Sequence, residues 1–247
     1  MRMKFLHLIP HFRGKFRLTR FLLNIFLKNK INIVLKGKFG IYYLIPNISE
    51  SIGFELFVNG VYELSYIKII IQNMPPNGTF LDLGANIGSI CLPVANLRPD
   101  IKVIAVEASP RVFSFLKYNV EKNNIFNIFL ENKALSTNDN QIVSFYSPNE
   151  LFGKGSLNPV YTNEAESVTT ITLDTLVANY NLNNIDFIKL DVEGFEHIVL
   201  SGGIKLLSKP FSPNILFEFS SDLEDLVEGS KAGDCQNFLR SLGYTLY

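Results

Sequence analysis

Three chemically active side chains alternate in one short stretch of the chain: Lys189, Asp191 and Glu193. Residues two apart in an extended strand point to the same face, so an ammonium group and two carboxylates should lie side by side. An ammonium group keeps a neighbouring carboxylate ionised, and an ionised carboxylate can remove a proton from a hydroxyl group. The pattern predicts all three as catalytic residues, with Asp191 and Glu193 as the candidate general bases.

Two other uses of these carboxylates remain open. Asp191 and Glu193 could together hold Mg²⁺, which needs only one or two protein carboxylates and would polarise an acceptor hydroxyl. We rank this metal site below the plain general base. Glu193 could instead cap the helix that follows it, with Lys189 as its ion-pair partner.

Acidic residues also stand at the ends of three other predicted strands, at Asp82, Glu107 and Glu218. In an open parallel sheet, ligands bind beyond the carboxyl ends of the strands. A carboxylate is costly to bury there unless a ligand or a hydrogen-bond network satisfies it. We predict Asp82 and Glu107 as cofactor ligands and Glu218 as a catalytic residue that binds the acceptor. The alternative for Glu218 is a buried, hydrogen-bonded structural carboxylate.

A turn with two glycines, Gly84-Ala85-Asn86-Ile87-Gly88, follows the first of these strands. Glycine lets the backbone turn sharply and approach a ligand closely, and Glu107 is placed to accept hydrogen bonds from both hydroxyls of a ribose. Dinucleotide-binding turns carry a glycine where this chain has Asn86, so NAD and FAD are the alternative. The predicted cofactor is S-adenosylmethionine, which has no phosphate.

From residue 79 onward the chain alternates strands and helices, which predicts a mostly parallel twisted sheet with helices on both faces. The predicted strands are residues 79–83, 102–106, 127–130, 142–146, 168–171, 187–190 and 215–219. The predicted helices are residues 89–97, 110–122, 173–178, 196–207 and 235–242. Ser109 and Pro110 set the start of the second helix, because serine caps a helix and proline suits its first position.

Five stretches of the chain form a recognisable set. They are Gly60-Val61-Tyr62-Glu63, Phe80-Leu81-Asp82-Leu83-Gly84-Ala85-Asn86-Ile87-Gly88, Leu173-Asp174-Thr175-Leu176, Asp186-Phe187-Ile188-Lys189-Leu190-Asp191-Val192-Glu193-Gly194-Phe195-Glu196 and Leu216-Phe217-Glu218. Together they resemble the motifs of the FkbM family of S-adenosylmethionine-dependent methyltransferases. The resemblance spans about residues 54–244.

The resemblance implies a Rossmann-like class I methyltransferase fold and transfer of a methyl group to a hydroxyl, often on a sugar or a polyketide. With the strand-end acids it assigns a set of cofactor-binding residues, in which Asn132 lies beside the adenine ring. The set is Tyr62, Glu63, Asp82, Gly84, Ala85, Asn86, Gly88, Glu107, Ala108, Asn132 and Asp191.

Charge divides the chain into two predicted parts, a basic N-terminal helical segment of residues 1–50 and a methyltransferase domain of residues 51–247. The first part contains ten Lys or Arg and one acid, so it carries +9 although the whole chain is neutral. Apolar residues recur at helical spacing over residues 18–25, with basic residues opposite. This helix either packs on the domain or contacts an anionic membrane surface through residues 15–30.

The C-terminal end departs from the family pattern. Sheets of this class end in an antiparallel hairpin, and residues 243–247 reach only the start of its first strand. The domain is therefore expected to lack its last strand or to receive it from elsewhere. An unprotected sheet edge would affect association between chains, and the sequence leaves the oligomeric state open.

Composition excludes several classes of protein. A neutral chain lacks the basic charge of a general nucleic-acid binder, and its apolar runs are too short to span a membrane. Its two cysteines, Cys91 and Cys235, fit neither a disulfide scaffold nor a cysteine-rich zinc site. We expect a cytoplasmic protein, with peripheral contact at the inner membrane surface as a further option.

The predicted function is O-methylation of a hydroxyl on a sugar, a glycan or a related metabolite, with no resident metal. The alternatives are an NAD(P)-dependent oxidoreductase and a catalytically inactive, methyltransferase-like binding module. Residues 147–167 are predicted to form the acceptor loop, with the Phe152 and Tyr161 rings suited to sugar faces. His197 is expected to pack on the surface or on a helix rather than to act as the base.

Overall fold

A computed structural model of the chain describes residues 31–182 and 184–247. The strands are β1 (Ile31–Lys36), β2 (Tyr42–Asn47), β3 (Thr79–Leu83), β4 (Lys102–Val106), β5 (Ile128–Glu131), β6 (Ala134–Leu135), β7 (Ile142–Tyr146), β8 (Ala165–Ile171), β9 (Phe187–Leu190) and β10 (Asn214–Phe217). The helices are α1 (Ser51–Asn59), α2 (Leu64–Asn73), α3 (Cys91–Leu97), α4 (Pro110–Lys122), α5 (Leu173–Asn179), α6 (Glu196–Ser201), α7 (Ile204–Leu207), α8 (Ser221–Glu224) and α9 (Asp234–Ser241).

Five of these strands form one parallel sheet in the order β10-β9-β3-β4-β5. From β3 the chain builds outward through β4 to β5, and it then returns to place β9 on the other side of β3. The strand order therefore reverses between β3 and β9. In sheets of this kind a crevice for ligands opens at the reversal, beyond the carboxyl ends of the strands.

Both faces of the sheet are covered by helices, as the alternating pattern predicts. Phe80 of β3 packs in one core with side chains of α1 to α4, and Leu81 packs in a second core with side chains of α5, α6, α7 and α9. Every residue of β3 is buried, which is typical of a central parallel strand with helices on both sides. The doubly covered sheet confirms the predicted α/β fold.

A smaller sheet holds a long connection close to the crevice. β8 pairs in parallel with β6 and antiparallel with β7, and residues 147–164 link β7 to β8. Within this link, Ser156 and Tyr146 exchange two backbone hydrogen bonds, at 2.8 and 3.0 Å. The start of the link is thus fixed against β7.

Residues 31–50 differ from the prediction of an N-terminal helical segment that extends to residue 50. β1 and β2 form an antiparallel hairpin, and Tyr43 and Ile45 of β2 are fully buried in the first core. The side chain of Asn119 on α4 ties the hairpin down by accepting a hydrogen bond from the Leu44 amide at 2.6 Å. Apolar alternation in β2 outweighs the basic charge that favoured a separate helix, so these residues pack as part of the domain. The predicted basic helix and its membrane contact through residues 15–30 lie outside the described residues.

The remaining element predictions are largely confirmed. α4 begins after Ser109, whose hydroxyl accepts a hydrogen bond from the Val112 amide. The predicted helix over residues 196–207 is divided in two at Gly202 and Gly203, where an added Cβ would lie 2.4 Å from the Ser136 carbonyl oxygen and 2.6 Å from the Leu173 side chain. Residues 244–247 form no strand, although Tyr244 and Leu246 pack on the second core.

Candidate functional site

A cleft opens at the carboxyl ends of β3, β4, β9 and β10, at the reversal of strand order. It encloses about 1180 Å³, including its open mouth. Of the residues predicted from the sequence, those that line it are Tyr62, Glu63, Gly84, Ala85, Asn86, Glu107, Ala108, Lys189, Asp191, Glu193 and Glu218.

The floor of the cleft is a tight turn at Gly84. This residue has φ +79°, and a Cβ on it would lie 1.8 Å from the Asp191 carbonyl oxygen. Its amide and that of Ala85 both donate to the Val106 carbonyl, at 3.0 and 2.9 Å. Glycine is required here because the turn is left-handed and touches the backbone that carries the catalytic candidates.

Lys189 lies at the centre of the charged groups. Its register partner across β3 and β9 is Asp82, and its Nζ lies 3.5 Å from an Asp82 carboxylate oxygen and 3.2 Å from Asp191 Oδ2. Nζ also donates a hydrogen bond to the Gly84 carbonyl at 2.8 Å. Burial lowers the pKa of Lys189, but the two carboxylates outweigh it and raise that pKa. The buried ammonium group therefore stays charged and links the glycine turn to Asp191.

Asp191 and Glu218 form a carboxyl pair whose two pKa values are shifted in opposite directions. Burial opposes ionisation of Asp191, but Lys189 and a hydrogen bond from Glu218 lower its pKa. Glu218 reaches solvent at the mouth of the cleft, yet partial burial and the charge on Asp191 raise its pKa to about 7. Near neutral pH, Asp191 is ionised while Glu218 holds the proton of the pair about half of the time.

Glu193 has a different partner from the one that the sequence indicates. Its two carboxylate oxygens accept hydrogen bonds from Lys154 Nζ at 2.9 and 3.1 Å, and Lys189 is not its ion-pair partner. It does not cap α6 either, because Phe195 occupies the cap position and makes no side-chain cap bond. The capping interpretation is therefore wrong, and Glu193 faces the cleft as an ion pair with the β7–β8 connection.

Three residues other than glycine adopt left-handed backbone conformations in the wall of the cleft. They are Glu63 (φ 43°), Asn86 (φ 52°) and Glu193 (φ 53°). Such conformations cost about 1–3 kcal/mol each and persist where the surrounding structure imposes them. Burial and the nearby Asp191 charge also raise the pKa of Glu63 to about 7. Such a concentration of strain and shifted acidity is typical of functional sites, and it makes the cleft the candidate site.

Glu107 follows β4 directly and lines the cleft. Its two oxygens accept backbone hydrogen bonds from Asn86 and from Ser109, both at 2.9 Å. Burial raises its pKa to about 7 against the effect of these two donors. A carboxylate oxygen can accept more than one hydrogen bond, so both oxygens keep capacity for a ligand hydroxyl.

Three predicted cofactor residues do not line the cleft. Asp82 is fully buried, and among the described residues neither of its oxygens has a hydrogen-bond partner; Lys189 is the cation beside it. An added Cβ at Gly88 would lie 1.9 Å from Leu92 Cδ1, so this glycine serves the packing of α3. The side-chain amide of Asn132 donates to the backbone carbonyls of Glu107 and Ala108, at 2.8 and 2.9 Å. These three residues therefore support the turns behind the cleft in this structure, and their direct contact with the cofactor stays a prediction.

The predicted acceptor loop reaches the cleft, and of the two aromatic residues that suggested it Phe152 lines the cleft while Tyr161 does not. Phe152 is 1% exposed and packs in the first core as well as against the cleft, so Phe152→Ala would act first on stability. Tyr161 lies outside the lining. The loop also contributes Lys154, which the sequence did not single out because its partner Glu193 is 39 residues away.

Other lining residues were not singled out from the sequence, although several of them lie in the quoted motifs or in the predicted acceptor loop. They are Ser51, Ile52, Tyr66, Ser89, Ile90, Val106, Lys133, Leu135, Phe145, Ser147, Gly153, Gly155, Leu190, Val192, Leu216 and Phe217. His197 behaves as predicted, because its ring packs edge-on against Phe238 with centroids 5.7 Å apart.

Asp191, Glu193 and Glu218 can bring carboxylate oxygens within 4.8 Å of one another, a spacing that could hold a cation. Two of the three already have ammonium partners at ion-pair distance, Lys189 and Lys154. A divalent ion would have to displace Lys154 or share Asp191 with a buried lysine. The donor set thus fits a resident metal poorly, and we route no step through one.

The parallel sheet with its reversal at β3 and β9, the glycine turn and the acid after β4 define the Rossmann-like class of S-adenosylmethionine-dependent methyltransferases. The methyltransferase FkbM domain matches residues 82–246, more than half of the chain. The chain therefore belongs to the FkbM methyltransferase family.

Curated relatives agree with this assignment. Methyltransferase 1 of Beauveria bassiana is 24% identical over 172 residues, which cover 62% of this chain and 66% of the relative. The 2-O-methyltransferase NoeI of Sinorhizobium fredii is 27% identical over 173 residues, which cover 62% of this chain and 67% of the relative. The chain thus spans about two thirds of the length of the curated relatives it matches.

Solved structures with some similarity include the METTL16 MTase domain, at 16% identity and a TM-score of 0.46 over 94% of this chain and 71% of that chain. Precorrin-6y C5,15-methyltransferase from Geobacter metallireducens is 13% identical, with a TM-score of 0.42 over 75% of each chain. The assignment rests on the family match and not on these similarities. No helix in residues 31–182 or 184–247 is long and apolar enough to cross a membrane.

Proposed function

We propose that the protein methylates a hydroxyl group on a sugar, a glycan or a related metabolite. The observation that carries the proposal is Asp191, which faces the cleft at the end of β9 with the buried Lys189 ammonium 3.2 Å away. A hydroxyl is a poor nucleophile at neutral pH, and a base that removes its proton typically raises the rate about 10²–10⁴-fold. The one relative above whose name states the acceptor atom is a 2-O-methyltransferase.

In this proposal the glycine turn at Gly84 and Ala85 would hold the cofactor together with Glu107, whose carboxylate would accept hydrogen bonds from the ribose hydroxyls. When bound, S-adenosylmethionine supplies a methyl carbon on a sulfonium sulfur, which leaves with the electron pair of the broken carbon–sulfur bond. Asp191 accepts the proton of the acceptor hydroxyl as the new oxygen–carbon bond forms. Tyr62 and Glu63 flank the same end of the cleft, and Lys189 holds Asp191 ionised and in place.

The acceptor would lie between Asp191, Glu193 and the Lys154 side of the β7–β8 connection. Carboxylates and a lysine ammonium can bind several sugar hydroxyls at once, since they accept or donate multiple hydrogen bonds. Glu193 and Lys154 hold each other in one geometry, which suits orientation of an acceptor better than proton transfer. We assign the base to Asp191 and acceptor binding to Glu193 and Glu218.

Glu218 gives this assignment a pH signature. Below pH 7 it is protonated and donates to Asp191, which weakens the base, whereas above pH 7 it loses that proton. We expect kcat to rise roughly tenfold between pH 6 and pH 8, because one group with a pKa near 7 changes from mostly protonated to mostly ionised over that range. In Glu218→Gln the rise should disappear. An unchanged profile in that variant, with Glu228→Gln as the exposed control, would assign the titration to another group.

Substitution of Glu107 tests whether the glycine-turn end of the cleft binds the cofactor. Calorimetric titration with S-adenosylhomocysteine should give micromolar binding to the wild type and binding about 30- to 100-fold weaker to Glu107→Ala, since each hydrogen bond to a charged group contributes about 1.5–3 kcal/mol. Glu131→Ala is the matched control, because Glu131 ends the neighbouring strand but accepts a hydrogen bond from the Tyr180 hydroxyl. The control should bind like the wild type.

The same titration separates the two alternatives. Binding of NAD⁺ in preference to S-adenosylhomocysteine would favour the oxidoreductase, against which Asn86 in place of a glycine already argues. Folded protein that binds neither ligand would favour the inactive binding module. The retained Glu107, Lys189 and Asp191 support the active enzyme.

Two sequence predictions stay predictions. Cytoplasmic location rests on the composition, and contact of residues 15–30 with an anionic membrane surface rests on the charge of the basic N-terminal segment. Such contact would suit a lipid-linked sugar acceptor.

A further inference from the structure

Asn86 connects three parts of the cleft through three different atoms. Its backbone amide donates to Glu107 Oε2 at 2.9 Å, and its side-chain oxygen accepts from the Ile87 amide at 2.8 Å. Its side-chain nitrogen donates to the Phe152 carbonyl at 2.9 Å. One residue of the glycine turn thus bonds both the ribose acid and the predicted acceptor loop.

The left-handed backbone of Asn86 (φ 52°) accompanies this arrangement. Its backbone amide donates a hydrogen bond to the Glu107 carboxylate, while its side-chain nitrogen donates one to the Phe152 carbonyl in the predicted acceptor loop. Asparagine tolerates this conformation better than most residues, and glycine, the residue typical of dinucleotide turns, would supply no side-chain donor. The departure from the dinucleotide pattern therefore has a structural use in this chain.

Residues 147–160, which we name the acceptor loop segment, are held mostly by side chains. Lys154 bonds Glu193 across the cleft, Asn158 donates to the Leu226 carbonyl at 2.8 Å, and Asn47 donates to the Glu150 carbonyl at 3.1 Å. Among the side-chain bonds to this segment described by the structure, the Asn86 bond is the one that comes from the cofactor turn. It meets the segment two residues before Lys154.

We propose that Asn86 is a positioning residue that couples occupation of the cofactor end to the order of the acceptor loop segment. This inference rests on the proposed function, since it takes the cofactor to lie on the turn and beside Glu107. A ligand that bonds Glu107 and fixes the turn also fixes Asn86, and with it the Phe152 carbonyl and the position of Lys154. The acceptor site is thereby completed after the cofactor binds, and by linkage an ordered segment favours cofactor binding in return.

The test measures ordering of the segment with and without S-adenosylhomocysteine. Hydrogen exchange over residues 150–156 reports opening of the segment. Trypsin cleavage after Lys154, the only basic residue in residues 147–167, gives a second readout. The variant is Asn86→Gly, which keeps the left-handed backbone and its amide but removes the side-chain bond to Phe152 and the local one from the Ile87 amide.

In the wild type, saturating S-adenosylhomocysteine should slow exchange and cleavage of the segment at least about fivefold, because the ligand removes open states. In Asn86→Gly that ratio should fall to near one, and affinity for the ligand should fall by no more than the factor measured for the wild-type ratio, because the coupling is reciprocal and the backbone contact is kept. Asn158→Ala is the matched control. Asn158→Ala loosens the same segment at its far end, so trypsin should cleave the ligand-free variant faster than the ligand-free wild type. The factor by which S-adenosylhomocysteine slows cleavage should be the same as in the wild type.

The outcomes separate this inference from the proposed function. A ligand-dependent ratio that persists in Asn86→Gly, or that is absent from the wild type despite binding, overturns the coupling and leaves the methyltransferase assignment in place. A loss of ligand affinity in Asn86→Gly well beyond the wild-type ratio would instead make the side chain a direct cofactor contact, which also overturns the coupling. Absence of binding in the wild type would remove the proposed function itself.

Discussion

Asp191→Asn should lower kcat for methyl transfer about 10²–10⁴-fold, which is the usual contribution of a general base. The substitution keeps the shape of the side chain but removes the negative charge that accepts the proton. Lys189 retains the Asp82 carboxylate and the Gly84 carbonyl as partners, so the fold should survive. The measurement is the rate of methyl transfer to an acceptor found in a panel of hydroxylated sugars, with S-adenosylhomocysteine affinity and thermal unfolding recorded in parallel.

The decisive comparison is between kcat and cofactor affinity. A base acts on the chemical step, so S-adenosylhomocysteine affinity should fall by less than about tenfold while kcat falls far more. Asp222→Asn, an exposed acid after β10 and outside the cleft lining, is the control and should match the wild type. If Asp191→Asn retains wild-type kcat while Glu193→Gln loses it, the base has been assigned to the wrong carboxylate.

Gly84→Ala should abolish S-adenosylhomocysteine binding and destabilise the fold by roughly 3–5 kcal/mol, the range seen where a special backbone conformation and a close contact are broken together. Two effects combine in this variant. The residue must keep a left-handed conformation, and its new Cβ must clear the Asp191 carbonyl oxygen, which lies 1.8 Å from its ideal position. Because that oxygen belongs to the backbone, it cannot move without shifting the end of β9.

Gly40→Ala separates these two effects. Gly40 has the same φ of +79°, but nothing lies within 4 Å of its added Cβ. It should cost only the left-handed penalty of about 1–2 kcal/mol and should leave S-adenosylhomocysteine binding intact. Chemical denaturation and calorimetry of both variants provide the test. Equal losses of unfolding free energy in the two variants would mean that the turn at residue 84 relaxes away from Asp191. The close approach of the two backbones would then not constrain the site.

Local sequence signals predicted the elements whose stability is decided locally. The cap formed by Ser109 with Pro110 gave the start of α4, and the buried β-branched run of residues 102–106 gave β4 and the position of Glu107 directly after it. The β1–β2 hairpin was missed because ten basic residues over residues 1–50 suggested a separate helix. Burial of Tyr43 and Ile45 against α4 is a tertiary contact that no window of local sequence contains.

The sequence by itself determined the fold class, the family and the carboxylates at the strand ends, because strand periodicity, glycine turns and caps act over a few residues. Tertiary structure alone decided how those groups pair. Lys189 lies between Asp82 and Asp191, and Glu193 pairs with Lys154 from a loop 39 residues earlier. Asn132 supports the Glu107 turn from behind. These pairings depend on strand order and loop closure, which bring together residues far apart in the chain, and electrostatic interactions at about 3 Å follow that spatial proximity and not sequence spacing.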